Sequence, residues 1–210
     1  YYAREYGNLY LENRKSRWPD FVTYTPYLVL RDAWHLSKYM NLNQVQLTVQ
    51  NTGQVPEQHS NAHLYNDPYA FAITMMGIPL FFQETQHYSP AARDEIRTLL
   101  AAYRAHRDAI CRGVVFPLGQ KPNGAGWTGF QSHEFGAGNG YLLVFRERYC
   151  PDDEALLCVP WTGGRRLLVE DLRTSQKLEV RPGAEGEITF RLDRPGAFSF
   201  CRYETLGDTQ

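Results

Sequence analysis

The sequence predicts an α/β unit followed by an all-β sandwich, and three observations carry that prediction. Strand-like and helical segments alternate up to Gly113, beyond it only short strands and turns recur, and the change of period falls at the end of one long amphipathic segment. That segment runs from Gly77 to Gly113. Its apolar run Ile78 to Phe82 leads into the polar cluster Gln83-Glu84-Thr85-Gln86-His87 and then Ser89-Pro90. Ser89 suits a helix cap, and Pro90 suits the first helical position, where a missing N–H costs nothing. Ile96, Leu99, Leu100, Tyr103 and Ile110 follow at helical spacing, and Gly113 is expected to end the helix.

Upstream, Asn8 to Asn13 reads as a strand, followed by a loop from Lys15 to Tyr24. Thr25 and Pro26 start a helix running to about Met40. Gln44 to Gln50 alternates strictly and reads as a strand. Asn51 to Asn66 is a polar loop, and Asp67-Pro68 opens a short apolar helix reaching Met76. Strand, helix, strand, helix, strand, helix is the order of βαβ units on a parallel sheet. Downstream, eight strands are expected: 114–116, 127–132, 141–146, 155–159, 167–170, 177–180, 187–192 and 197–203. Turn signals such as Pro122-Asn123-Gly124 and Arg181-Pro182-Gly183 separate them, the pattern of an antiparallel sandwich.

Bulk properties narrow the function. The chain has 210 residues, 43% of them hydrophobic, with 14 Tyr and 11 Phe to fill a core. A net charge of −1 offers no field for nucleic acid or anionic lipid. The longest nearly apolar stretch, Ala70 to Phe82, is shorter than the roughly 20 residues a membrane span needs. Cys111, Cys150, Cys158 and Cys201 lack paired spacing, so neither zinc nor any other metal or cofactor is expected, and buried free thiols are expected at Cys158 and Cys201. A cytoplasmic setting is favoured over secretion. His59 and His63 lie four apart in the polar loop, without an evident third ligand.

Three βα units cannot close a (β/α)8 barrel, and a three-stranded parallel sheet alone would leave both edges open. The favoured reading is therefore the C-terminal portion of a TIM barrel, residues 1–112, followed by the sandwich, residues 113–210. The start at Tyr1-Tyr2-Ala3 fits a fragment of something longer. The strand exits are polar, as barrel active-site rims are: Glu12-Asn13-Arg14, Gln50-Asn51-Thr52 and Gln83-Glu84-Thr85.

Several stretches carry a resemblance: WPDFVTYTPYLVLRDAWHLSKY, QVQLTVQN, DPYAFAITMMGIPLFFQE and VVFPLGQKPNGAGWTGFQSHE. Together they resemble the C-terminal part of an α-galactosidase-like (melibiase) enzyme of glycoside hydrolase family 36 or a close clan D relative. The likeness runs over most of residues 12–148. It implies a TIM barrel with a C-terminal β-sandwich and a retaining, two-aspartate mechanism. It also places the nucleophile upstream of Tyr1, and the acid/base at Asp20, in Trp18-Pro19-Asp20. The family's commoner W-x-S-D-x-T-D pattern is absent there.

The chemistry has its own requirements. A retaining glycosidase needs two carboxyl groups about 5–5.5 Å apart, one of them holding its proton near neutral pH. Trp18 can supply an apolar wall beside Asp20, although Asp20 could equally begin a turn. Glu12, Arg14, Asn51 and Glu84 are candidates for holding sugar hydroxyls. Pairing Glu12 with Arg14, a turn at Asn51 and an arginine partner for Glu84 are their structural alternatives. Trp34 and Tyr103 are expected in the core. Trp127 and Trp161 are expected to pack in the sandwich or between domains, or to offer a carbohydrate-stacking surface.

The expected partners are a carbohydrate substrate, the preceding barrel portion and a further copy of the chain, with no nucleic acid and no membrane. The competing reading is a non-catalytic carbohydrate-binding or interaction module centred on the sandwich. A self-sufficient enzyme on a small sheet is disfavoured, since neither a phosphate loop nor a G-x-S-x-G elbow is present.

Overall fold

The computed structural model describes residues 9–11, 24–82 and 85–207. Three strands, β1 (Leu9–Leu11), β2 (Val45–Val49) and β3 (Ile78–Phe81), form a parallel sheet in the order β1-β2-β3. Leu9 pairs with Val45, and Val49 with Phe81. Helix α1 (Pro26–Leu36) links β1 to β2, α2 (Asp67–Ala72) links β2 to β3, and α3 (Pro90–Arg112) follows β3. The alternation read from the sequence is present, with each βαβ connection crossing from one strand to its neighbour.

The local causes are mostly those the sequence implied. Ser89 Oγ accepts the Ala92 amide at 3.2 Å, and Pro90 opens α3. Ile96, Leu99, Tyr103 and Ile110 are its buried stripe. Thr25 precedes Pro26 at the start of α1 but does not cap it; its hydroxyl lies 3.1 Å from that of Ser60. Helix α1 stops at Leu36 rather than Met40, and α2 stops at Ala72, where Ile73 to Met76 continue as buried turns.

Gly113 ends α3 for a reason other than a left-handed cap. Its backbone is extended (φ −74°, ψ 165°), so any residue could adopt it. The constraint is space, because an added Cβ would lie 2.2 Å from Ser132 Oγ and 3.2 Å from the His133 backbone. Gly77 is required in the same way by the start of β3, where a Cβ would sit 2.8 Å from the Val45 carbonyl oxygen.

After α3 come β4 (Val114–Gly119), β5 (Trp127–Glu134), β6 (Asn139–Arg146), β7 (Glu154–Cys158), β8 (Arg166–Asp171), β9 (Lys177–Val180), β10 (Glu187–Arg191) and β11 (Ala197–Leu206). All eight expected strands are found. Six form one antiparallel sheet, ordered β4-β5-β6-β11-β8-β9, and β7 and β10 pair separately.

The middle of the six-stranded sheet is buried on both faces, which is why β6 is apolar almost throughout. Tyr141, Leu143 and Phe145 point toward the helices, together with Val115, Phe130, Phe198 and Phe200. There Tyr69 of α2 meets Phe145 and Phe198 edge-on, at 5.2 and 6.4 Å between centroids. Leu142 and Val144 point the other way, toward Leu157, Val159 and Ile188 of the β7–β10 layer. Period-2 alternation thus serves two cores at once.

Trp34 and Tyr103 are core residues with their polar ends bonded. Trp34 Nε1 donates to the Leu118 carbonyl at 3.0 Å, and the Tyr103 hydroxyl to the Gly77 carbonyl at 2.8 Å. Trp127 is buried in the second apolar cluster, with Leu142 and Leu157, donating to the Asp152 carbonyl. All four cysteines are free thiols. Cys201 is buried as expected, but Cys158 is exposed, since β7 belongs to a two-stranded layer whose outer face meets solvent.

Candidate functional site

The carboxyl-terminal ends of β2 and β3 gather the polar groups of the parallel layer. Strand β2 ends at Val49, and Gln50, Asn51 and Thr52 follow it, all buried. Asn51 Oδ1 accepts the Gly53 amide at 2.9 Å, forming the turn that was one of its two expected uses. The Thr52 amide donates to Asp67 Oδ1 at 2.7 Å. Asp67 stands at the first turn of α2, beside Asn66, whose side chain caps that helix through the Tyr69 amide.

Two tyrosines border this carboxylate. Tyr24 is 2% exposed; its hydroxyl lies buried beside the Gln50 backbone amide, without a hydrogen bond of good geometry among the described residues. Gln50 Oε1 is also buried, with no hydrogen-bond partner among the described residues. Burial pushes the Tyr24 and Tyr88 phenols well above their ordinary pKa, and the charge of Asp67 adds to both shifts. Burial likewise raises the Asp67 carboxyl, against the hydrogen bonds from Thr52 that favour its ionised form. The cluster therefore holds a carboxyl group that keeps its proton more readily than a solvated aspartate, walled by aromatic rings. Such an environment suits a group that exchanges hydrogen bonds with neutral hydroxyls.

Two clefts flank it. One, of about 330 Å³, is lined by Tyr27, Glu57, His59, Ser60, Asn61 and His63. It brings the two loop histidines to one wall, and among the described residues no group of three potential ligands is placed to hold a metal. The other, of about 880 Å³, runs along the side of β3 away from β2 and the adjoining face of α3, past Ile78, Phe81, Tyr88, Arg97, Leu100 and Tyr103. The four residues of β3 are only half-buried there.

Of the expected site residues, Asn51 lies just beyond the carboxyl-terminal end of β2. Glu12, Arg14, Trp18, Asp20 and Glu84 lie outside the described residues. Tyr24, Asp67 and Tyr88 were not singled out as site residues from the sequence, and Gln50 was named only as part of a polar strand exit. Asp67 had an evident use in opening a helix, and its bond to Thr52 spans a loop that composition alone does not close. The one available signal was position, since each lies next to the end of a strand or the start of a helix.

No family model and no curated protein matches the sequence. Solved structures do match by fold. The α-galactosidase from Lactobacillus brevis superposes with a TM-score of 0.60 at 10% identity, over 88% of this chain and 25% of that one. A variant of the GH36 α-galactosidase AgaA from Geobacillus stearothermophilus, in complex with stachyose, gives 0.60 at 9% identity, over 86% and 24%. The GH36 α-galactosidase AgaB from the same organism gives 0.56 at 12%, over 86% and 24%. The chain thus spans about a quarter of the length of these structures. Its parallel layer, long helix and antiparallel sheets together have the fold of the corresponding part of a family 36 α-galactosidase.

Proposed function

We propose that this chain is the C-terminal part of a retaining glycoside hydrolase of α-galactosidase type, acting on terminal α-linked sugars. In this reading residues 1–112 supply the last βα units of a TIM barrel and residues 113–210 its C-terminal sandwich. The observation that carries it is the parallel order β1-β2-β3, with polar groups collected at the carboxyl ends, inside a fold shared with GH36 α-galactosidases. One of those structures holds stachyose, and another AgaA variant holds raffinose, so an α-linked galactoside is the substrate class to test first.

In this mechanism a nucleophile from the preceding barrel portion attacks the anomeric carbon, and Asp20 protonates the leaving oxygen. Asp20 then deprotonates the water that hydrolyses the glycosyl-enzyme. Trp18, Glu12, Arg14, Asn51 and Glu84 surround the sugar hydroxyls, with Asp67 supporting the Asn51–Thr52 turn. The half-buried side of β3 and the cleft along α3 are where the first βα unit of the barrel packs. The partners are accordingly that barrel portion and the carbohydrate, with self-association of the whole enzyme as a further expectation.

The test uses the longest gene product containing this sequence. It should hydrolyse an aryl α-galactoside with retention at the anomeric carbon, while the isolated 210-residue chain does not. Asp20→Asn should lower kcat by about 10²–10⁴-fold. Turnover by the isolated chain, or inversion by the whole enzyme, would overturn the assignment.

A further inference from the structure

On the face of the six-stranded sheet away from the helices, an aromatic cluster sits at the ends of β4 and β5. Trp161 is 42% exposed and Phe135 55%. Phe116 lies 4.3 Å from Trp161 between centroids, and Phe135 lies 5.1 Å from Trp161 and 6.2 Å from Phe116. Exposed rings are ordinarily loose, but these are braced from beneath. The ring of His133, 3% exposed, stacks on Trp161 at 5.5 Å and 16°, and on Tyr203 at 6.1 Å and 9°.

Polar groups fix that stack. The Tyr203 hydroxyl is 2.6 Å from His133 Nδ1 and receives Gln131 Nε2 at 2.7 Å. Gln131 Nε2 also donates to the Pro160 carbonyl at 2.9 Å, immediately before Trp161. The Thr162 hydroxyl donates to the Val159 carbonyl at 2.7 Å. Trp161 is thereby held at φ 64°, a backbone region that a bulky residue seldom adopts. That conformation keeps the indole over His133 with part of its surface in solvent. Arg165, exposed and without an ion pair among the described residues, donates its amide to the Thr162 carbonyl at 3.2 Å, and its guanidinium reaches the Gly138 turn, three residues beyond Phe135.

The geometry points to a saccharide-binding platform on the sandwich, separate from the barrel rim, on which Trp161 and Phe135 stack the C–H face of a pyranose while Arg165 donates to its hydroxyls. Area separates this occupant from a second copy of the chain. An aromatic side chain carries roughly 150–250 Å², so the exposed parts of Trp161 and Phe135 offer on the order of 200 Å². A stable protein interface needs about 800 Å² per partner, whereas one or two sugar rings fit a platform of this size. Rigid rings with a donor at the lip also suit a weak, flat ligand, because little ordering remains to be done on binding.

Isothermal titration of the 210-residue chain with cellohexaose, maltohexaose and mannohexaose tests the proposal. At least one should bind with a dissociation constant on the order of 1 mM. Trp161→Ala should weaken that binding by about tenfold or more, and Phe135→Ala by several-fold, both with an unchanged circular dichroism spectrum. Phe135 is the more exposed of the two and provides the readout if Trp161→Ala fails to fold. Absence of heat from all three sugars, binding that survives both substitutions, or a concentration-dependent dimer that Trp161→Ala abolishes would overturn it. The barrel-rim chemistry can fail or succeed independently, since it is read by hydrolysis rather than by this titration.

Discussion

Asn41 is bonded twice to the segment around Gly113: its Nδ2 donates to the Gly113 carbonyl at 2.9 Å, and its Oδ1 accepts the Val115 amide at 3.1 Å. One side chain between α1 and β2 thus satisfies both backbone groups where the long helix becomes the first strand of the large sheet. Asn43 adds a bond to the Cys111 carbonyl at 3.2 Å. Asn41→Ala should lower unfolding free energy by about 2 kcal/mol, because it strands a partly buried donor and acceptor together. Urea denaturation measures this, and an unchanged midpoint would mean that water replaces both bonds at no cost.

Glu147 is a buried carboxylate held almost wholly by main chain. It accepts the amides of Asn123 at 3.2 Å, Gly124 at 2.8 Å and Gly126 at 3.0 Å, and is 1% exposed. The PNGAG segment is therefore wrapped around a side chain that lies beyond the next hairpin. Glu147→Gln should cost about 2 kcal/mol, as charged acceptors bind amides more strongly than neutral ones. Hydrogen exchange at Gly124 and Gly126 should rise with it; protection equal to wild type would refute this account.

Asp67 gives a pH dependence of known sign. Burial raises its folded pKa above the ordinary 3.8, so the folded state holds the proton more tightly than the unfolded chain. Its contribution to stability is present below 3.8 and declines as pH rises through the folded value. In Asp67→Asn, which retains an acceptor for the Thr52 amide, that decline should be absent. Thermal melts of both proteins across the acid range should therefore converge on the low side and separate above it, with the variant gaining.

The thiols should label in the order of their exposure. Cys158 is open to solvent, Cys111 half-buried, and Cys150 and Cys201 buried. Burial nonetheless raises the pKa of Cys158, and that of Cys201 further, to about 11. Alkylation of the native chain followed by mass spectrometry should modify Cys158 first and Cys201 only on unfolding. Early modification of Cys150 would contradict its burial in the cluster that holds Trp127.

Much of this architecture was legible because it is local. The stripe Ile96, Leu99, Tyr103, Ile110 and the turn dipeptides between strands state their geometry within a few residues. What stayed hidden depends on remote partners. Gly113 has a reason that belongs to Ser132, Asp67 one that belongs to Thr52, and Cys158 is exposed because β7 pairs with β10 alone. The site was legible only as a place. Polar strand ends, Gln50-Asn51-Thr52 among them, could be read directly, whereas the burial of the Tyr24 hydroxyl beside Gln50 required the fold.

The two-faced sheet bears on how this protein can be divided. The periodicity changes at Gly113, yet a cut there would lay bare Val115, Phe130, Leu143, Phe145, Phe198 and Phe200 along one side of the sheet. A recombinant piece starting at residue 113 should consequently aggregate or need a partner. The reverse cut would strip the long helix of the surface it lies on. The boundary in the sequence runs through the middle of a shared interior, so the halves can vary in their loops but must change their inner residues together.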